Sequence, residues 1–498
     1  MAPGRPAAKD RSCDLTYGEL AAGIAATAGA MVRRGVGAGD RVALHLPNSV
    51  DFLVASCAAM WTGAVFVPLA LPDPAARLRT ILASCRPSLV VTTEPDRPDG
   101  AYEGYRTCTP SLLREEAAGG EPAPAPYPAG ADEGAYCIYT SGTTGEPKGV
   151  LIGHGAFDHS VSETSRRLGL GPETRALCVS PFHFDGSFGT LFPVPASGGS
   201  LVILPREALV LPRMFFSAVA EEAINHTSCS PSYLRRLLAS PKLPSLAGTA
   251  LATLGLGGEE CVADDLARLW EAVPGLRVFN RYGPTETTIA VTTSELRPSD
   301  AAPGRRLPIG RPHDGVSFHL LDENGAPIDR PGVTGELFIG GAQLMNGYLG
   351  DPATTAAVLR DDVVPGRLVY RTGDLVTCDE DGRHVFVDRA DRVVKRDGVR
   401  LSLAEVARAL RAVEGVEAAT CAAYAGEGGL AVAGFVVDPT GRPEAELRQG
   451  LRELLPITML PNVLVSVDAL PVTSSAKVDE AQLLEAAGLE PLRRHAHP

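Results

Sequence analysis

The sequence predicts an α/β protein: a large N-terminal region, residues 1–390, of α/β sheets plus a β-rich part, then a small α+β region, residues 391–498. Three observations predict it. Strand-like and helix-like runs alternate over residues 11–95 and again over 135–290, the rhythm of βαβ units on a mostly parallel sheet. Residues 305–390 are rich in strands and turns. After Asp391 the order changes to helix, strand, helix and a final strand–loop. At 498 residues, the length prior of ~150 residues per domain allows about three domains, two of which can merge in one large α/β fold.

The elements follow in order. LTYGELAAGIAATAGAMVRRG reads as an amphipathic helix, entered at Thr16 as N-cap and closed by Gly35. DRVALHL is a short strand. Phe52 to Leu71 carries no charge and is long enough to span a bilayer. However, it contains Ser56, Thr62, Gly63 and Pro68, and shifts from helix-like ASCAAMW to strand-like AVFVPL. It therefore reads as a buried helix–turn–strand. Residues 117–131 form a Pro/Ala/Gly connector. AYCIYT, RALCVSPF, SLVILP, LATLGLGG and LRVFNRYG are strands with helices between them. VSFHLLDENGAPI, GELFIGG and HVFVDRA make up the β-rich part. LAEVARALRAV and EAELRQGLRELL are the C-terminal helices, with GLAVAGFVVD as the strand between.

Composition excludes several classes. Lys plus Arg number 46 against 59 Asp plus Glu, a formal charge of −13. An acidic chain argues against nucleic acid or an anionic membrane as principal partner. Ten cysteines are scattered without a C-x-x-C pair, which fits reduced thiols in a cytoplasmic protein better than a disulfide framework or a zinc site. The N-terminus lacks the apolar core of a signal peptide.

The most specific segment is Tyr139-Thr140-Ser141-Gly142-Thr143-Thr144-Gly145-Glu146-Pro147-Lys148-Gly149, which follows a strand. Its glycines let backbone N–H groups approach a phosphate, its hydroxyls can donate to phosphate oxygens, and Lys148 adds positive charge. It is not a Walker A loop. A flexible surface loop is the competing reading of such a run.

YTSGTTGEPKG resembles the phosphate-binding signature of the adenylate-forming enzymes: acyl-CoA synthetases, luciferases and the adenylation domains of nonribosomal peptide synthetases. Other matching motifs follow in family order. They are LTYGEL, WTGAVFVPL, the Asn280–Glu286 run NRYGPTE, GELFIGGAQLMNGYL, YRTGDL at 370–375, DRAD at 388–391 and PVTSSAKVD. The resemblance covers almost the whole chain.

The resemblance implies ATP and Mg²⁺ and assigns roles to matching residues. Thr140, Ser141, Gly142, Thr143, Thr144, Gly145 and Lys148 would hold phosphates, and Asn280 and Gly283 would also border the nucleotide. Tyr282 would stack on adenine. Asp374 and Arg389 would hold the ribose, with Lys395 nearby. Thr285 would touch the α-phosphate, and Glu286 would bind the metal. Lys477 would bridge the attacking carboxylate and the α-phosphate. Asp391 stands at the hinge about which the family's small C-terminal lid rotates. Two departures stand out: Ser475-Ala476 replaces the usual Asn-Gly before Lys477, and Arg392–Gly398 departs from Q-V-K-I-R-G.

Phe184-Asp185-Gly186-Ser187 resembles the F-D-x-S motif of amino-acid-activating members, in which the Asp takes the substrate ammonium. A buried cation needs an anionic partner. Pro181–Gly186 also fits the P-x-H-x-x-G pattern of acyl-CoA synthetases, in which His183 would flank the carboxylate. Motif alignment implies a side-chain pocket of Asp185, Gly186, Gly189, Ser228, Leu254, Leu256, Arg281, Ile289 and Ala290. Arg281 is unusual in such a wall and wants an anion, which suggests an acidic amino acid or a β-amino relative. The expected reaction is formation of aminoacyl-AMP, then transfer to the phosphopantetheine thiol of a carrier protein in trans, since no carrier segment follows. An acyl- or aryl-CoA ligase and a non-catalytic nucleotide-binding scaffold are the alternatives.

Overall fold

The computed structural model describes residues 2–71, 73, 75–97, 99–118, 124–141, 147–302, 305–390, 393–396, 399–426, 429–455, 460–473 and 478–491. The chain folds as two compact units. One comprises Met1–Thr372 with Val376–Phe386, the other Gly373–Leu375 with Val387–Pro498.

Two large sheets dominate the first unit. An eight-stranded sheet runs in the order Thr292–Leu296, Arg277–Tyr282, Thr253–Gly257, His226–Cys229, Arg175–Cys178, Ser200–Ile203, Pro6–Lys9, Asp14–Thr16. It is parallel throughout except for its two edge strands. A seven-stranded sheet runs Gly347–Tyr348, Pro147–Gly153, Gly134–Ser141, Val65–Pro68, Arg41–His45, Leu89–Thr92, Thr107–Cys108. Its first three strands pair antiparallel and the rest parallel. One apolar cluster joins both sheets through Ala8, Leu44, Phe66, Tyr136, Ala176 and Leu201. A third, β-rich sheet contains Val316–Leu321, Gly335–Gly341, Arg367–Cys378, His384–Arg389 and Pro308–Gly310.

Local signals explain the entry to these elements. The first helix, Tyr17–Arg33, opens on a capping box: Thr16 accepts from the Glu19 backbone while the Glu19 carboxylate accepts from the Thr16 N–H. The uncharged stretch after residue 50 is the helix Val50–Trp61 followed by the strand Val65–Pro68. Gly63 turns between them at φ +76°, and a Cβ there would meet the Tyr127 ring at 2.6 Å. No helix among the described residues is long and apolar enough to cross a membrane.

Three boundaries differ from the sequence reading. Helix Pro110–Ala118 runs into the expected connector. The strand read through RALCVSPF ends at Cys178, because Pro181 donates no N–H to a ladder and the chain turns into a helix at Asp185. In the second unit a strand, Ala418–Gly426, went unread: its alanine-rich run lacks the β-branched signal that marks its partner Gly429–Val437. That hairpin and the parallel strand Val463–Ser466 carry helices Leu403–Ala412 and Glu444–Leu454, which pack through Val406, Leu410, Leu447 and Leu451.

Candidate active site

In open α/β sheets, ligands collect beyond the carboxyl ends of parallel strands. Several of the expected residues lie there. Asp185 begins the helix Asp185–Leu191, which follows the loop after strand Arg175–Cys178. The Thr285 side chain is its neighbour, close enough to favour the charged carboxylate, but the Asp185 Oδ2 is buried and has no partner. Burial, reinforced by the negative charge of Glu286, pushes the Asp185 pKa up to about 6. The Tyr136 hydroxyl, also buried without a partner, lies within the electrostatic reach of Asp185. His183 stacks on Phe184 with ring centroids 4.3 Å apart, and burial lowers its pKa to about 4, so the imidazole is neutral at pH 7.

Arg281 is 7% exposed. On the sheet it pairs with Gly257, and Gly255 pairs with Ser228. A Cβ on Gly255 would stand 2.5 Å from Ser228 Oγ and 3.5 Å from Arg281 Cδ. The arginine side chain therefore crosses the sheet in a groove that Gly255 leaves open. Its Nη1 donates to Gly189 O at 3.4 Å and its Nη2 to Thr164 Oγ1 at 3.1 Å, while Nε has no partner. Ser228 Oγ is likewise buried and unpartnered.

The pocket wall read from the sequence needs one correction. Leu254 and Leu256 face the opposite side of their strand, in the apolar cluster with Leu177, Val179 and Val278. Side chains alternate along a strand, so Gly255 is the residue that shares a face with Ser228. The alternation of LGLG in the sequence carried that signal. Of the two glycines named for the wall, Gly189 lies under the guanidinium, whereas Gly186 is exposed with nothing within 4 Å of its Cβ position.

Ile289 and Ala290 are buried beside the 3₁₀ turn Thr285–Thr287. Thr288 and Ile289 adopt φ values of +60° and +69°, unusual for residues with branched side chains. Gln343, which sequence reasoning missed, holds this backbone: its Nε2 donates to Thr288 O at 3.1 Å and to Ala290 O at 2.8 Å. Gly283 packs so tightly that a Cβ would fall 2.6 Å from Ala290 Cα.

Thr140 and Ser141 end the strand Gly134–Ser141, with Thr140 paired to Lys148. Lys148 Nζ lies 5.6 Å from the Tyr348 ring centroid, and the Tyr348 hydroxyl donates to Glu286 Oε1 at 2.8 Å. Tyr348, also missed, thus brings the expected phosphate lysine and metal carboxylate to one place. Its motif, NGYL, assigns the tyrosine no role from sequence alone. Glu286 is a single carboxylate, and no cluster of three or more His, Cys, Asp or Glu suited to a metal occurs among the described residues. That donor set fits Mg²⁺, which one or two carboxylates hold together with substrate phosphates.

Tyr282 neighbours Phe318 and Phe386, at 6.4 and 6.5 Å between centroids. Asn280 is engaged at both ends of its amide: Nδ2 donates to Pro308 O at 2.9 Å and Oδ1 accepts from the Cys261 thiol. Asn280 therefore braces the strand rather than facing a ligand.

In the second unit, Arg389 Nη1 donates to the buried Asp374 at 2.9 Å. Gly373, at φ +69°, keeps the space under the guanidinium clear. Lys395 lies on the strand Val393–Arg396, opposite Arg400. Gly142, Thr143, Thr144, Gly145, Asp391 and Lys477 fall outside the described residues.

Comparison with known proteins bears on the fold and the family. The chain is 33% identical over 497 residues to enterobactin synthase component F of Escherichia coli, covering 97% of this chain and 38% of that protein. The chain thus spans well under half of this curated relative. The structure of ATP-bound MatB from Rhodopseudomonas palustris matches with a TM-score of 0.87 at 26% identity, covering 97% of this chain and 96% of MatB. Holo-AB3403, a four-domain nonribosomal peptide synthetase bound to AMP and glycine, matches with a TM-score of 0.81 at 28% identity, covering 99% of this chain and 36% of that one. Residues 1–349 match the AMP-binding enzyme family, and with the fold and site above the chain belongs to that family of adenylate-forming enzymes.

Proposed function

We propose that this protein activates an amino acid as aminoacyl-AMP, using ATP and Mg²⁺, and passes the acyl group to the phosphopantetheine thiol of a carrier protein. The observation that carries this reading is the Asp185 carboxylate, whose buried Oδ2 has no donor. An unpaired buried carboxylate oxygen is costly, and a substrate ammonium would offset that cost. The glycine bound to holo-AB3403 supports it by analogy.

In this reading the substrate carboxylate attacks the α-phosphorus of ATP, and pyrophosphate leaves. Thr285 contacts the α-phosphate, Tyr282 stacks on adenine, and Asp374 with Arg389 holds the ribose. Lys148 and the glycine-rich segment hold the outgoing phosphates. Lys477 supplies positive charge to the transition state. Mg²⁺ at Glu286 would neutralise phosphate charge. The carrier thiol then attacks the acyl carbon, and AMP leaves.

The neutral His183, in a run that also fits P-x-H-x-x-G, favours a second reading, an acyl-CoA ligase in which Asp185 is structural. Amino-acid-dependent ATP–pyrophosphate exchange separates the two. Exchange with an amino acid, abolished in Asp185→Ala with ATP binding retained, is the expected result. Exchange with amine-free acids alone, unchanged in that variant, selects the second reading.

A further inference from the structure

Arg281 is a buried cation that no carboxylate among the described residues touches; the one negative charge that acts on it is that of Asp185, at longer range. Its two hydrogen-bond partners, Gly189 O and Thr164 Oγ1, are neutral oxygens, and its Nε has none. No Asp or Glu lies within ion-pair distance among the described residues. A guanidinium buried in this way, without a carboxylate, is destabilising unless a ligand supplies the anion. Burial accordingly depresses its pKa to about 10.

The surroundings are shaped for that ligand. Gly189 leaves the space that the guanidinium occupies, and Gly255 leaves the space beside Ser228 Oγ and Arg281 Cδ. Ser228 Oγ, buried and unpartnered, approaches the same point above Gly255 as Arg281 Cδ. Asp185 and Gly189 stand at i and i+4 on one helix, so they share a face one turn apart. The Asp185 backbone and the Gly189 backbone on which the guanidinium lies are thus one helical pitch, ~5.4 Å, apart along that helix.

We infer that Arg281, with Ser228, receives a carboxylate on the side chain of the substrate, so that the substrate is an acidic amino acid of the aspartate or glutamate type or a β-amino relative. This rests on the amino-acid reading above and narrows it. The ammonium meets Asp185, and the side-chain carboxylate, one or two methylenes away, reaches the guanidinium. The remaining carboxylate stays free to attack ATP. A carboxylate matches the planar fork of Arg281 in two parallel hydrogen bonds, which its amide analogue cannot make.

The test is pyrophosphate exchange by the wild-type protein with aspartate, glutamate, asparagine, glutamine, alanine, succinate and glutarate. We expect an acidic amino acid to exceed its own amide by at least about 100-fold in kcat/KM. Arg281→Gln should abolish that preference, and Arg281→Lys should restore part of it, with ATP binding unchanged in both. A neutral amino acid as best substrate, with aspartate and glutamate inert, overturns the inference and leaves the amino-acid reading standing. Succinate or glutarate as best substrate keeps Arg281 as the carboxylate site but overturns the role of Asp185. The wild-type preference decides the matter even if a variant misfolds.

Discussion

The guanidinium of Arg281 lies directly against the backbone of Gly189: a Cβ built there would stand 2.5 Å from Nη1 and 2.6 Å from Nη2. Both residues are buried, and they come from elements 92 positions apart in the chain. The helix that begins with Asp185 therefore tolerates Arg281 beneath it because position 189 has no side chain.

Gly189→Ala should displace the guanidinium, since a Cβ there would fall within 3 Å of its Nη1, Nη2 and Cζ. Overpacking of this kind costs about 1–3 kcal/mol. Thermal denaturation should show the loss, and kcat/KM for the best substrate should fall while ATP binding holds. An alanine variant as stable and as active as wild type would mean that the guanidinium has room to shift.

Asp185→Asn should stabilise the free protein at neutral pH. The carboxyl pKa is raised from its ordinary 3.8 to about 6 in the folded state, so the native protein binds the proton more tightly than the unfolded chain between those values. Stability therefore falls as pH rises from about 4 to 6, and above 6 the full cost of the buried charge is present. The asparagine variant escapes it. Denaturant unfolding at pH 7.5 should show a gain of about 1–3 kcal/mol that shrinks toward pH 4. A constant difference across that range would show that desolvation of Asp185 is not its source.

Gln343→Ala should release the backbone at Thr288 and Ala290. Ala290 O loses the Gln343 donor and Thr288 O is left with the Ser160 hydroxyl alone, and an unsatisfied buried carbonyl costs about 1–3 kcal/mol. The left-handed conformations of Thr288 and Ile289 would relax, moving Ile289 and Ala290 together. The expected outcome is a lower melting temperature and a raised KM for the activated acid. A stable variant with unchanged KM would argue that Gly283 packing alone sets this loop.

Much of the fold was legible because its signals are local. Thr16 with Glu19 marks a helix start by spacing alone, and Gly63 marks a turn where only a residue without Cβ can pass Tyr127. The candidate site was legible in part, through short runs such as TSGTTGEPKG and NRYGPTE whose order matches a family. Leu254 and Leu256 show where that reading stopped. Motif alignment places a strand in the wall but does not show which of its alternating faces turns inward, and here Gly255 does. Gln343 and Tyr348 were missed for a related reason: a glutamine donating to backbone carbonyls more than fifty residues away has no periodicity to announce it.

By itself, then, the sequence determined the α/β class, the succession of most elements and the family, because capping, hydrophobic period and motif order act over a few residues each. Tertiary structure alone decided that Arg281 meets Gly189 and Ser228, that Asp185 keeps an unpartnered oxygen, and that Tyr348 joins Lys148 to Glu286. Those relationships depend on burial and on pairing between distant strands and helices. Whether a charge is satisfied is a property of everything packed around it.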